Sequence, residues 1–227
     1  MPASEIKHII TNDGSSTLYS PQYDEHYHSV HGAIQESMHV FIRMGLDALP
    51  AERKEIRLLE MGFGTGLNAL LSLLHRKDRK LHYTGLEAIP VASEMAAALN
   101  YPDKLGEPAL KTPFMALHDA PWEEPVIISP GFSLVKHHTR LEIFQAEEGF
   151  DLIYFDAFAP NSQPELWTED IMRRMYQMMR PGGIFVTYSA KSSVRRGLQS
   201  AGFNVEKLPG PPGKREMLRA IKDNVEA

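Results

Sequence analysis

Apolar runs alternate with amphipathic segments along most of the chain. The runs EIRLLEMG, KLHYTGLEAI, FSLVKHHTRLEIF and FDLIYFDAF are typical of buried strands, and LNALLSLLHR, VASEMAAALN and TEDIMRRMYQMM have the spacing of helices. Strands and helices that alternate in this way favour an α/β fold with a parallel, doubly wound sheet. RPGGIFVTYS then predicts a strand, SSVRRGLQSAGF a helix that Gly202 stops, and NVEKLPG with REMLRAI a terminal antiparallel hairpin.

Two segments depart from this alternation. Residues 1–50 form a polar and aromatic lead-in with a helix predicted from about Ile34 to Leu49. We expect this lead-in to contribute to the active site of the main domain, residues 51–227. Residues 101–130 contain six prolines, which favour short helices and turns over one long element. We expect this Pro-rich insertion to cover part of the site.

The composition narrows the class of protein. With 227 residues, 43% of them hydrophobic and 23% charged, the chain suits one globular α/β domain. It has no cysteine, which excludes disulfides, a cysteine nucleophile and thiolate zinc sites, and fits a cytoplasmic location. The sequence has neither the apolar run of a signal peptide nor the roughly 18 apolar residues of a membrane span, so we expect no membrane partner.

The charge of the chain is uneven. The formal net charge of −5 argues weakly against nucleic acid as a partner. Residues 171–222, however, hold eleven Lys and Arg and only two Glu. Such a region can supply a phosphate-binding face, and a solvated helix face is the alternative.

The stretch LLEMGFGTGLN brings three glycines together between a predicted strand and a predicted helix. Glycine lets backbone amides approach a ligand, and the start of a helix favours an anionic group. The spacing here is G-x-G-x-G, whereas a dinucleotide site has G-x-G-x-x-G and a phosphate loop ends in Lys-Ser/Thr. The pattern therefore suits S-adenosylmethionine, whose carboxylate can meet the helix start; a plain tight turn is the alternative.

Acids at the ends of two further strands extend this candidate cofactor site. Glu87 ends the second strand, where an acid can accept the ribose hydroxyls of either NAD or S-adenosylmethionine. Asp156 ends a later strand, at the sheet edge where ligands bind, although such an aspartate is often only a helix cap. The predicted cofactor contacts are Glu60, Gly62, Phe63, Gly64, Thr65, Gly66, Asn68, Glu87 and Asp156.

Four stretches resemble the methyltransferase part of the MnmC family. They are SPQYDEHYHSVHGAIQESMHVFI, EMGFGTGLN, DAFAPNSQPELWT and RPGGIFVTYSAKSSVRRGLQSAGFNVEKLPGPPGKREML, in matching order from about Tyr19 to Ala220. The resemblance implies a class I S-adenosylmethionine-dependent methyltransferase with a Rossmann-like, mostly parallel sheet of seven strands. It also implies that the enzyme converts the 5-aminomethyl group of the tRNA wobble (2-thio)uridine to 5-methylaminomethyl. The anticodon loop of tRNA, and the enzymes that make the aminomethyl precursor, are then the expected partners.

Two features depart from the family pattern. The fused form of the family carries a second, FAD-dependent oxidase domain for which this chain has no room, so we expect methyl transfer alone. Many class I enzymes place an acid after the third strand to read the adenine amino group. This chain has His137-His138-Thr139-Arg140 there, so we expect adenine recognition by other groups, such as the backbone.

The resemblance suggests roles for individual side chains. Asp156 would orient the acceptor amine and offset its developing positive charge. Aromatic residues of the lead-in and of the rim after Asp156 would stack on a splayed-out base, with core packing as the alternative for each. Basic residues would contact tRNA phosphates, unless GKREM is a structural turn whose charges pair with nearby acids. The predicted substrate contacts are Tyr27, Phe158, Pro160, Asn161, Trp167, Arg195, Arg196, Lys214 and Arg215.

The sequence is also compatible with three other functions. A polyamine synthase, which transfers an aminopropyl group from a relative of the same cofactor, has the same fold, and another small-molecule methyltransferase is also possible. A non-catalytic RNA-binding module is the third alternative, and cofactor binding would separate it from the enzymes. His26, His28, His31 and His39 match no zinc spacing, so we expect no metal.

Overall fold

A single sheet organises the molecule. The computed structural model describes residues 6–146 and 149–224. Within them, the main sheet has eight strands: β4 (Glu55–Met61), β5 (Lys80–Glu87), β6 (Val126–Ser129), β7 (Phe132–His138), β8 (Phe150–Phe155), β9 (Met179–Thr187), β10 (Asn204–Pro209) and β11 (Glu216–Ile221). The α/β fold is therefore confirmed, with the short edge strand β6 added to the seven strands expected.

The strand order places a ligand-binding edge at the centre of the sheet. The order is β10-β11-β9-β8-β4-β5-β7-β6, and β4, β5, β7, β8 and β9 run parallel. The chain leaves β4 towards β5 and β7, then returns to β8 on the other side of β4. Parallel sheets bind ligands at such a switch point, outside the carboxyl ends of the strands. β10 and β11 form the antiparallel terminal hairpin that the sequence predicts.

Helices cover both faces of this sheet. They are α1 (Ala33–Ser37), α2 (Leu67–His75), α3 (Ser93–Ala97), α4 (Tyr101–Lys104), α5 (Lys111–Asp119), α6 (Glu169–Met178) and α7 (Ser192–Ala201). One apolar core lies under α2 and α5, and a second lies under α6 and α7. No helix among the residues described is long and apolar enough to cross a membrane.

The N-terminal segment is built into the first core. It forms a small antiparallel sheet of β1 (Lys7–Ile10), β2 (Ser16–Ser20) and β3 (Glu25–His26). The single helix predicted from Ile34 to Leu49 is interrupted: α1 passes into a π-helical turn, Met38–Arg43, and a 3-10 turn, Leu46–Ala48. Side chains of this segment, such as Phe41, pack with residues of β4 and α2, so it is not a detached arm.

The Pro-rich insertion forms short elements beside the glycine loop. It consists of α4, a 3-10 turn at Pro108–Leu110, and α5, in agreement with the short elements that its prolines predict. His118 and Trp122 of the insertion line a cavity of about 170 Å³ whose wall also includes Phe63, Gly64 and Glu87. The insertion therefore lies against part of the predicted cofactor site, whereas the N-terminal segment lines the main cavity beside Asp156.

Candidate active site

The glycine loop between β4 and α2 lets the backbone approach a ligand closely. Gly62, Gly64 and Gly66 all have positive φ, at 86°, 48° and 70°. A Cβ at Gly62 would lie 2.7 Å from the backbone oxygen of Asp156, and one at Gly64 would lie 3.1 Å from the Tyr27 ring. A side chain at either position is therefore strained and also intrudes on neighbouring groups.

Two histidines, the buried His28 and the partly buried His118, hold this loop through Thr65. The His28 Nε2 lies 2.6 Å from the Thr65 hydroxyl, and the His118 Nε2 donates to the Thr65 carbonyl at 3.1 Å. Burial lowers the pKa of each histidine to about 4, so both rings are neutral at neutral pH. The Thr65 side chain, predicted to contact the cofactor, is thus engaged in fixing the loop.

Glu87 joins the loop to the end of β5. Its carboxylate accepts hydrogen bonds from the backbone N–H of Gly64 at 2.8 Å and of Ile89 at 2.9 Å. Burial raises its pKa, and the backbone donors oppose that shift. A carboxylate has about four lone-pair sites, so these two bonds leave capacity for hydroxyl donors of a ligand.

A hydrogen-bonded chain leads from the core to Asp156. The Asn68 amide Nδ2 donates to Asp156 Oδ2 at 2.9 Å and to Glu60 Oε1 at 2.8 Å. The Tyr83 hydroxyl donates to the other oxygen of Glu60 at 2.8 Å. Burial raises the pKa of Glu60 well above its usual range and that of Asp156 to about 7. Asp156 is therefore held in place, and its burial makes it harder to ionise than an ordinary carboxyl group.

A cavity of about 670 Å³ opens over these groups, within the size range of small-molecule sites. Its aromatic wall is formed by Tyr23, Tyr27 and Phe158. The ring of Phe158 stacks on Tyr23 at 4.6 Å and meets the edge of Tyr27 at 5.2 Å. The charged side chains that line it, among the residues described, are Glu25, Glu36, Glu87, Asp156 and Lys214. Four acids and one lysine give this cavity a negative character that suits a cationic ligand.

The residues of the cavity fit S-adenosylmethionine. The positive-φ glycines leave open backbone where a side chain would intrude, and Glu87 stands at the strand end suited to ribose hydroxyls. The Asn68 Oδ1 atom is buried without a hydrogen-bond partner in the described part of the chain, although Asn68 is one of the cavity-lining residues. Seven of the predicted cofactor contacts line this space, and their contact with the cofactor stays a prediction: Gly62, Phe63, Gly64, Thr65, Asn68, Glu87 and Asp156.

Lys214, a predicted phosphate contact, lies inside the cavity beside Glu36 and Tyr188, two residues that the sequence does not single out. The Lys214 Nζ pairs with Glu36 Oε1 at 2.5 Å and lies 3.8 Å from the ring centroid of Tyr188. All three residues line the cavity. This pairing matches the alternative in which GKREM is a turn whose charges meet nearby acids. The sequence holds only a weak signal for it, since Glu36 and Lys214 are separated by 178 positions.

Several predicted contacts lie outside the cavity lining. Glu60 is fully buried beneath it, and Gly66 begins α2. Trp167 is a core side chain whose Nε1 donates to the Phe158 carbonyl at 2.8 Å, so it supports the rim and does not offer a stacking face. The remaining ones, on or near the surface around the rim, are Pro160, Asn161, Arg195, Arg196 and Arg215. Contact of these five with a substrate stays a prediction.

The comparisons with known proteins agree with this geometry. A family model described as S-adenosyl-L-methionine-dependent methyltransferase matches residues 132–223. The tRNA 5-methylaminomethyl-2-thiouridine biosynthesis bifunctional protein MnmC of Cupriavidus metallidurans is 33% identical over 93% of this chain, and its counterpart in Magnetococcus marinus is 33% identical over 92%. This chain spans about a third of the length of these relatives, 33% in both cases.

A solved structure supports the same relationship over nearly the whole chain. The crystal structure of MnmC2 from Aquifex aeolicus superposes with a TM-score of 0.79 and 29% sequence identity. The match covers 99% of this chain and 72% of that one. It therefore includes the N-terminal segment, which forms one wall of the cavity, as well as the sheet.

Proposed function

We propose that this chain, an S-adenosylmethionine-dependent methyltransferase of the MnmC type, methylates the primary amine of 5-aminomethyluridine at the wobble position of tRNA. The product is 5-methylaminomethyluridine, or its 2-thio form. The observation that carries the proposal is the position of Asp156, at the switch point of the sheet and in an acid-lined cavity. A cavity with four acids and one lysine favours an amine acceptor over an anionic one.

Asp156 is well placed to orient the acceptor amine and to stabilise its developing charge. The bound cofactor supplies an activated methyl group, so the protein mainly has to align the acceptor nitrogen and receive its charge. Asp156 accepts an N–H of the amine, and its ionised form offsets the positive charge that develops on nitrogen. With a pKa near 7, it is also a closer match to a proton acceptor than an ordinary carboxylate. The Asn68 side-chain amide fixes the orientation of the Asp156 carboxylate through its hydrogen bond to Oδ2.

The tRNA part of the proposal is supported by the names of the relatives and by surface features. Tyr23, Tyr27 and Phe158 form an aromatic group beside the cavity, suited to an unstacked base of an RNA loop. Arg196 and Arg215 are exposed, and Arg215 directly follows the cavity residue Lys214. We infer that these arginines, with Arg195, contact phosphates near the flipped nucleotide. The proposed location is the cytoplasm, with the enzymes that make the aminomethyl group as functional partners.

The direct test uses labelled S-adenosylmethionine and tRNA from cells that lack the final methylation, followed by nucleoside analysis. We expect the label in 5-methylaminomethyl nucleosides, and we expect it to be lost with Asp156→Asn. Asp78→Asn, at an exposed ion pair at the opposite end of the sheet, is the matched control and should keep activity. If labelled cofactor binds but tRNA stays unlabelled while a polyamine acquires an aminopropyl group from decarboxylated cofactor, the proposed reaction is wrong.

A further inference from the structure

Lys214 faces into the cavity, although its neighbour Arg215 faces solvent. The hairpin loop between β10 and β11 lies against the N-terminal segment, where the Pro209 carbonyl accepts a hydrogen bond from His39 Nε2 at 2.8 Å. Gly213 approaches the ring of His31 so closely that a side chain at this position would overlap it. This loop position directs Lys214 inward, over the ring of Tyr188.

Within the Glu36–Lys214 pair, the lysine is the member available to a ligand. Both oxygens of Glu36 are engaged, since Oε1 accepts from Lys214 and Oε2 accepts from the Ser29 N–H at 2.8 Å. The Glu36 side chain is 6% exposed, whereas that of Lys214 is 33% exposed. An ammonium group has three N–H donors, and one is used by Glu36. The ammonium group also lies over the Tyr188 ring. Its other N–H donors make no further hydrogen bond among the described residues.

The same tyrosine connects Lys214 to the residues that follow β8. The Tyr188 hydroxyl donates to the Ala157 carbonyl at 2.9 Å, and Ala157 directly follows Asp156. Asp156 and Lys214 line the same cavity, so a substrate whose amine meets Asp156 can present an adjoining polar edge to Lys214. Asp156 presents hydrogen-bond acceptors and Lys214 presents donors, so the two select for a donor next to an acceptor on the same molecule.

We propose that Lys214 is a specificity-determining residue that donates a hydrogen bond to the ring carbonyl oxygen next to the carbon bearing the aminomethyl group. In uracil this is the oxygen on position 4, beside the substituted position 5. The inference rests on the proposed function, because it takes the acceptor to be a 5-aminomethyl pyrimidine. Such a contact favours uracil over cytosine, which carries an amino donor at position 4. A lysine cannot accept a hydrogen bond from that amino group.

The test compares two anticodon stem-loops, one with 5-aminomethyluridine and one with 5-aminomethylcytidine. A hydrogen bond from a charged donor contributes roughly 10- to 100-fold in kcat/KM. We expect the parent protein to prefer the uridine loop by about that factor, and we expect Lys214→Met to lose most of the preference. The affinity for S-adenosylmethionine, measured by calorimetry, should stay at the parent value.

Two further variants keep the test decisive. Lys207 lies on the same hairpin and pairs with Glu216 outside the cavity. The Lys207→Met variant should therefore retain the parent preference for the uridine loop. If Lys214→Met fails to fold because Glu36 is left buried and unpaired, the double variant Glu36→Gln, Lys214→Met removes that charge and should show the same lost preference. A Lys214 variant that still favours uridine by the parent ratio overturns the inference, even though the proposed function stands. If the parent methylates neither loop, the proposed function fails and the inference falls with it.

Discussion

The side-chain amide of Asn68 lies 2.9 Å from Oδ2 of Asp156 and gives this carboxylate a fixed hydrogen-bond donor. The same nitrogen holds Glu60 at 2.8 Å, so one residue of α2 connects the carboxylates at the ends of two neighbouring strands. The donor also lowers the pKa of Asp156 against the larger opposing effect of burial. Asn68 is therefore a positioning residue whose loss should alter the titration of the site as well as its rate.

Asn68→Ala should reduce kcat by about tenfold or more, since a charge-assisted hydrogen bond is lost at the reacting centre. It should also move the acid limb of the pH–rate profile to higher pH, because Asp156 then ionises less readily. Ser72→Ala is the control, since Ser72 lies on the same helix as Asn68, outside the cavity lining, and its hydroxyl makes a buried hydrogen bond with Tyr154 of β8. A rate loss with an unshifted pH profile would assign Asn68 to structure alone.

Asp156→Asn should lower kcat by about 100-fold or more and should stabilise the fold near neutral pH. The folded-state pKa of Asp156 is raised to about 7 from an ordinary value of 3.8, so folding is opposed increasingly as pH rises from 3.8 to 7. The asparagine variant avoids this penalty. Its gain in melting temperature over the parent should therefore be larger at pH 7.5 than at pH 4.5. Equal gains at both pH values would contradict the raised pKa.

Gly64→Ala should weaken S-adenosylmethionine binding by about tenfold or more, because the new methyl group occupies the open backbone surface near Tyr27. Gly106→Ala is a matched control. Gly106 also has positive φ, at 71°, but a Cβ there meets no atom within 4 Å. Both variants should lose some thermal stability from backbone strain, and only Gly64→Ala should lose cofactor affinity in calorimetry. Equal affinities in the two variants would exclude the glycine loop as the cofactor site.

Replacing Arg196 and Arg215 together by alanine should weaken tRNA binding and flatten its dependence on salt. Each phosphate contact contributes a slope of about one unit in a plot of log affinity against log salt. Both arginines are exposed, so the fold and cofactor affinity should be unchanged. Lys54 and Lys77, exposed near the opposite end of the sheet, are the control pair. If both double variants keep the parent slope, these arginines do not bind phosphates.

The parts of the fold that follow from local patterns were predictable from the sequence. The buried strand of β4 and the glycines after it lie together in the chain, so their role follows from spacing alone. Asp156 could be placed because parallel strands bring their carboxyl ends to one edge. The strand β6 was missed because VIIS is only four residues long and lies among prolines.

Contacts between distant segments were not predictable in the same way. The sequence around a basic residue such as Lys214 does not show whether its side chain faces solvent or pairs with an acid 178 positions away. The sequence predicts Trp167 as a rim residue. Its ring belongs to the core, where its centroid lies 4.9 Å from that of Phe155. The position of the Pro-rich segment likewise depends on contacts between distant parts of the chain, since its residues His118 and Trp122 line the smaller cavity while β3 and its flanking residues line the main one.

The Glu36–Lys214 pair can form only after the β10–β11 hairpin has been synthesised. These two residues join the early and late parts of the chain, and closing so long a loop has an entropic cost that only the finished sheet can offset. During synthesis, the glycine loop and Asp156 leave the ribosome before the β10–β11 hairpin exists. The side of the cavity that Lys214 lines is therefore completed only when the hairpin docks. Until then, Glu36 has no lysine to neutralise it.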